Sequence, residues 1–266
     1  MLTSYHVHST FSDGVSTIRE HILAAADAGL DEIGISDHYV LLPGHRTVDW
    51  SMSLSGLPAY FDEIRSAKSE VEGKTVVRYG LEADFHPQME GELSEILAAH
   101  AFDYVIGSVH FVDGFAVDEC GRFWHELTVS ERDDMMRSYW DCLAKMARSS
   151  LFDFAAHLDL YKKFGHLPSV DVSADIGSAL DAMAASGMAA ELNTAGWYKD
   201  IREAYPSCEI VRECRARGIE MLITADAHNA GELTRGYDRG VRVLRDAGYT
   251  ETVVYAGRNM SPAKLR

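Results

Sequence analysis

Histidines and acidic residues recur where apolar runs end along this sequence: His6 and His8, Asp37 with His38, Glu82, His110, His157, Glu191 with Asn193, and Asp226 with His228. Imidazoles and carboxylates bind first-row divalent cations. Such residues delivered from successive strands predict one multinuclear metal site assembled in three dimensions. His6-Val7-His8 and Asp226-Ala227-His228 each place two donors at i and i+2, on one side of a strand. The glycine of Ser12-Asp13-Gly14 permits a tight turn from which Asp13 can swing back as an oxygen ligand. Glu82 closes the run Val76-Val77-Arg78-Tyr79-Gly80-Leu81, and a carboxylate buried at the end of a central strand is costly unless paired or metal-bound. His21, His100 and His125 stand outside this pattern and read as ordinary packing or surface histidines. The chemistry these residues predict is that of a metallohydrolase.

Strand-like and helix-like runs alternate from end to end, the pattern of a parallel sheet with crossover helices. Strands are predicted near residues 4–8, 32–36, 75–82, 104–110, 154–157, 188–193 and 220–225, giving about seven βα units. Thr17-Ile18-Arg19-Glu20 is a capping box that opens the first helix, and Gly29 stops it. Further helices are predicted over 57–71, 92–100, 130–147, 174–185, 207–217 and 240–247. Two longer connections, 39–56 and 111–129, have the length of lids or substrate loops. In a parallel barrel the active site occupies the face at the C-terminal ends of the strands, and every donor named above falls at such an end.

The chain has 266 residues, ordinary for a single α/β barrel, and nearly half are hydrophobic, so the core needs no metal or disulfide to fold. The formal charge of −16 argues against a nucleic-acid partner, and no basic patch offsets it. Four cysteines, Cys120, Cys142, Cys208 and Cys214, form no C-x-x-C pair and fit a reducing cytoplasm. The N-terminus shows no export signal, and no apolar run is long enough to span a membrane. Oligomeric state is not legible.

The segments His6-Val7-His8-Ser9, Ser12-Asp13-Gly14, Ser36-Asp37-His38, Gly80-Leu81-Glu82, Gly107-Ser108-Val109-His110 and Ala225-Asp226-Ala227-His228 together resemble the polymerase and histidinol phosphatase (PHP) superfamily over nearly the whole chain. The stretches 157–164 and 191–196, followed by Tyr205-Pro206-Ser207, resemble its histidinol-phosphate phosphatase branch. The resemblance implies one domain, residues 1–266, with a distorted seven-stranded TIM-like (β/α)7 barrel and two to three divalent ions, zinc, manganese or iron. Carried over residue by residue, it implies one ion held by His6, His8, Glu82 and Asp226. A second would lie on Asp13, His38 and His157, and a third on Glu82, His110 and His228, with Glu82 bridging.

Phosphate binding is expected from Lys163, Lys199 and Asn193, with lysines standing where the branch often carries arginine. Lysine keeps the charge but lacks the bidentate fork. The reaction so implied is hydrolysis of L-histidinol phosphate, a small phosphorylated metabolite of histidine biosynthesis, by a metal-bound hydroxide. No other catalytic group is assigned. The alternatives are a PHP phosphoesterase for another small monoester or nucleotide, an amidohydrolase, and a polymerase accessory module. An amidohydrolase often bridges its metals with a strand-borne carbamylated lysine. Here no lysine stands at a predicted strand end.

Overall fold

The computed structural model describes residues 1–266 as a single-domain α/β fold built on parallel strands. Strands β1 (Thr3–Ser4), β2 (Glu32–Ile35) and β4 (Val76–Tyr79) form one sheet in the order β1-β2-β4. A second sheet has the order β11-β10-β9-β6-β5-β3. Its members are β3 (His38–Tyr39), β5 (Glu82–Asp84), β6 (Ile106–Ser108), β9 (Phe154–Ala155), β10 (Ala189–Asn193) and β11 (Met221–Thr224). The seven predicted strands are thus present, but in sheets of three and six rather than one continuous ring. The runs at 32–39 and 76–84 each break in the middle, at Ser36-Asp37 and Gly80-Leu81. At the break the Tyr60 hydroxyl donates to the carbonyls of both Ile35 and Gly80, at 2.8 and 2.9 Å. Residues 6–8 bond on their other side to Ala227, through His8 N to Ala227 O (2.9 Å) and Ala227 N to His6 O (3.0 Å).

Helices α1 (Ile18–Asp27), α2 (Leu57–Glu70), α3 (Glu90–Ala98), α4 (Gly121–Glu126), α5 (Val129–Ser149), α6 (Ser173–Ser186), α7 (Cys208–Ala216) and α8 (Tyr237–Asp246) accompany the strands. The Thr17/Glu20 capping box forms as the sequence predicts, and Thr128/Glu131 makes a second one at α5. No helix is long and apolar enough to cross a membrane.

Two antiparallel hairpins are absent from the sequence reading. The first, β7 (Phe111–Val112) with β8 (Phe115–Ala116), lies in the connection after β6. The second, β12 (Glu251–Ala256) with β13 (Asn259–Lys264), ends the chain and packs Val253 and Tyr255 against Tyr5, Tyr104 and Phe154.

Tyr104 locks this end of the sheet: its hydroxyl donates to Tyr5 O at 2.6 Å, and its ring fills the space left by two glycines. A Cβ at Gly34 would stand 2.1 Å from the Tyr104 hydroxyl, and one at Gly80 2.2 Å from its ring carbon Cζ. Overpacking of this kind costs about 1–3 kcal/mol. Gly34→Ala is expected near the upper end, because the contact is with a hydrogen-bonded, buried phenol; a urea midpoint equal to wild type would contradict this.

Candidate metal centre

Glu82, fully buried, stands at the centre of the donor set. Its Oε2 lies 2.7 Å from His38 Nδ1, 3.1 Å from His6 Nε2 and 3.4 Å from His8 Nε2. Its Oε1 lies 3.2 Å from His157 Nε2 and 3.8 Å from His110 Nε2. Asp226 Oδ1 approaches His8 Nε2 at 3.2 Å and His6 Nε2 at 3.7 Å. Asp13 Oδ1 approaches His228 Nε2 at 3.2 Å and His38 Nε2 at 3.7 Å. All nine predicted donors therefore converge.

The contacts are short, but several lack hydrogen-bond geometry. His6 Nε2, both His8 ring nitrogens, His38 Nδ1 and Glu82 Oε2 are buried without a partner. Orphaned buried nitrogens and a carboxylate oxygen clustered with further imidazoles and carboxylates are what cations would satisfy, so the residues fit a divalent-metal centre. They form four overlapping groups: His8-Asp13-His38-His228, His6-Glu82-His157, His6-His8-Asp226 and His38-Glu82-His110. The groups differ from the division the resemblance implied. Asp13 faces His38 and His228 rather than His157, and His157 faces His6 and Glu82.

Three residues named from sequence have other partners. Asp37 accepts from Ser9 N and Ser9 Oγ, both at 2.7 Å, and from Ser12 Oγ at 2.6 Å, so it pins the turn after β1 instead of facing the centre. Glu191 Oε2 accepts from His6 Nδ1 and Thr224 Oγ1, and its Oε1 from His157 N and Asn193 Nδ2, all at 2.8 Å. It orients donors rather than being one. Asn193 is fully buried; its amide nitrogen donates to Glu191 and, at 3.1 Å, to Asp226, while its carbonyl caps Ala195 N. Its polar atoms have partners within the protein, and it is not among the residues that line the cavity above the donor set.

His110 is oriented in the same way, with Asp84 Oδ1 3.0 Å from Nδ1. A carboxylate behind an imidazole fixes its tautomer and leaves the far nitrogen for a cation. His21 is buried with Nε2 3.0 Å from His8 O, a packing role as predicted.

Burial pushes the Glu82 and Asp226 carboxyls up, yet the facing imidazoles hold both well below the usual carboxylate range. Burial and the neighbouring His38 and His228 rings bring His8 down to about 3, so it is a neutral lone-pair donor. His110 and His228 move the other way. Burial lowers each, but the hydrogen bonds to Asp84 and Asp13 together with the surrounding carboxylate charges outweigh it and raise the rings to about 10 and about 9. A cation must therefore displace protons from them. Burial lowers His6 too, but the charges of Glu191, Asp226 and Glu82 and the Glu191 hydrogen bond raise it well above its ordinary value, so loading near neutral pH is expected to release on the order of three protons, with affinity rising as pH rises. Calorimetry in buffers of different ionisation enthalpy reads the number; proton-independent binding is the contrary result.

A cavity of about 350 Å³ opens above these donors. Lys163 and Lys199 line it, and Lys163 Nζ donates to Asp118 O (2.7 Å) and Oδ2 (3.0 Å). Asp118, Tyr205, Glu232 and Arg235 also line the wall; of these only Tyr205 was named from sequence, within the Tyr205-Pro206-Ser207 segment and without a role. Arg235 pairs with Glu232 and lies over the Tyr198 ring, 4.4 Å from its centroid. Neither His45 nor Arg46 of the connection 39–56 reaches the cavity. Trp50 of that connection packs edge-on against His38 and His110, at 4.9 and 5.3 Å between ring centroids.

The family model of the PHP domain matches residues 4–195. The chain belongs to the PHP family. A probable histidinol-phosphatase of Deinococcus radiodurans is 39% identical to this PHP chain, over 98% of this chain and 99% of that protein. A histidinol-phosphatase of Lactococcus lactis is 26% identical, over 98% of this chain and 96% of that one. The crystal structure of histidinol phosphate phosphatase from Lactococcus lactis, complexed with zinc, L-histidinol and phosphate, shares the fold: its TM-score is 0.83 at 24% identity, covering 98% of both chains.

Proposed function

We propose that this PHP protein is a metal-dependent phosphoric monoester hydrolase that converts L-histidinol phosphate to L-histidinol and phosphate. The observation that carries the reading is the cavity itself. Its floor is the donor set, and its wall holds three cations, Lys163, Lys199 and Arg235, beside two carboxylates outside that set, Asp118 and Glu232. A zwitterionic wall suits a substrate with a phosphate at one end and an amine at the other. The full-length similarity to histidinol-phosphatases points to the same substrate.

In this reading His6, His8, Asp13, His38, Glu82, His110, His157, Asp226 and His228 hold two to three divalent ions, zinc, manganese or iron. Bound ions would supply a Lewis acid for the phosphoryl oxygens and lower the pKa of a water. Glu82 turns one oxygen to each side of the donor set and is the natural bridge. Lys163, Lys199 and Arg235 draw the phosphate in and offset its charge. Glu191 and Asp84 hold His6 and His110 in the tautomer that presents Nε2. Residues 1–266 act as one PHP domain, and the bonds from residues 6–8 to Ala227 support a distorted seven-stranded barrel.

Inorganic-phosphate release from L-histidinol phosphate by manganese- or zinc-loaded protein tests the proposal, beside sugar and nucleotide monophosphates and a chelated control. A strong chelator-sensitive preference for histidinol phosphate is expected. Equal turnover of the whole panel would move the substrate elsewhere.

A further inference from the structure

We infer that the Tyr205 hydroxyl is a phosphate-binding donor of this cavity, contacting a non-bridging oxygen of the ester and of the product phosphate. The inference rests on reading the cavity as a phosphate-monoester site.

Tyr205 lines the cavity and is 2% exposed, and its hydroxyl has no hydrogen-bond partner. Most of the chain's buried phenols have a partner. Tyr5 donates to Glu32, Tyr60 to Ile35 and Gly80, Tyr104 to Tyr5 O, Tyr139 to His157 O and Tyr255 to Asp153 O. Tyr237, the other buried phenol without a partner, lines a separate pocket beside Leu2 and Thr3. A buried hydroxyl without a partner is destabilising, and at a binding cavity the missing partner is a ligand atom.

The ring is held in place from several directions. Its backbone is bonded to Asn193 in both senses, with N–O distances of 2.7 and 3.0 Å. One ring edge abuts Gly196, where a Cβ would stand 2.9 Å from Tyr205 Cε2. The Lys162 ammonium lies 5.6 Å from the ring centroid and is itself fixed by Asp159 (2.8 Å) and Glu203 (2.6 Å). A donor so braced needs no reorganisation to meet an anion.

Burial, then the charges of Asp159, Asp226 and Asp118, raise the phenol above its ordinary range, so it keeps its proton and acts as a donor. None of those carboxylates takes the hydroxyl proton as a hydrogen bond. The most basic acceptors a phosphate monoester brings are its non-bridging oxygens, and the phenol shares the cavity with Lys163 and Lys199, which attract the same group.

The test is Tyr205→Phe in the manganese-loaded protein, with inorganic phosphate as the probe. Metal content and melting temperature without phosphate are expected not to fall, since no bond is lost. Phosphate affinity should drop about tenfold, and the melting-temperature gain on adding phosphate should shrink accordingly. The loss in kcat/KM should be similar for L-histidinol phosphate and p-nitrophenyl phosphate. A fluorotyrosine at position 205, a stronger donor, should bind phosphate more tightly, which keeps the inference testable if the phenylalanine variant folds poorly. Phosphate affinity within about twofold of wild type in a fully metallated Tyr205→Phe protein would overturn it. Wild-type protein that binds phosphate but spares histidinol phosphate would defeat the substrate assignment while leaving Tyr205 in its role.

Discussion

Glu82→Gln protein should fold yet lose turnover by about 10³-fold or more, a rise of about 4 kcal/mol in the barrier. The substitution preserves shape and removes the charge at the one metal-donor position whose two carboxylate oxygens both face donor imidazoles. Oε2 faces His6, His8 and His38, and Oε1 faces His157 and His110. An amide can present its oxygen to one side only. On the other its NH2 donates to imidazole nitrogens whose lone pairs are needed for cations, so two groups of donors are damaged together. Metal analysis after dialysis should show reduced content, and the stabilisation that added metal gives to wild type should shrink. Full metal content with full activity would sink the bridging assignment. A variant that keeps its metal but loses activity would instead confine Glu82 to the reaction itself.

Much of this arrangement was legible in the sequence, because metal chemistry restricts residue type and the barrel-like alternation restricts position. His6 and His8 after β1, His110 after β6 and Asp226 with His228 after β11 all fall where the period of strands and helices predicts. What sequence could not separate was ligand from orienting group. Asp37 and His38 are adjacent, both buried and both at a strand break, and only the return of Ser9 and Ser12 from elsewhere in the chain turns Asp37 away. Asn193 is similar: an amide at a strand end reads as a substrate contact, and only the fold shows its bonds to Glu191 and Asp226.

The cavity wall was the least legible part. Asp118, Tyr205, Glu232 and Arg235 lie in connections without periodicity, where the side chain's target depends on the loop path and not on local spacing. The connection 111–129 was nonetheless marked by its length, and it delivers Asp118 to Lys163. The C-terminal hairpin carried an overlooked signal. Glu251-Thr252-Val253-Val254-Tyr255 is rich in β-branched and aromatic residues, but it follows the last βα unit, where the repeat offered no slot for it.

Glu191→Gln tests whether the centre depends on groups that never touch a cation, and it should weaken metal affinity roughly 10–100-fold. Each Glu191 oxygen accepts two donors, so no orientation of an amide can serve all four. With its NH2 toward His157 N and Asn193 Nδ2, two buried donors lose their acceptor. With its NH2 toward His6, it must donate to Nδ1, which moves the ring proton to Nε2. That nitrogen lies 3.1 Å from Glu82 and belongs to two donor groups, so the ring would then present an N–H where a lone pair is required. Unfolding free energy should fall by about 3–5 kcal/mol, because one member of a fully buried, hydrogen-bonded charge network is lost. Competition with a chelator reads the affinity, and activity at saturating metal separates a binding defect from a catalytic one. Recovery of turnover at high metal would assign Glu191 to holding the cation. Affinity and stability both equal to wild type would show that His6 keeps its tautomer without it, and that the order of the centre is set by the donors alone.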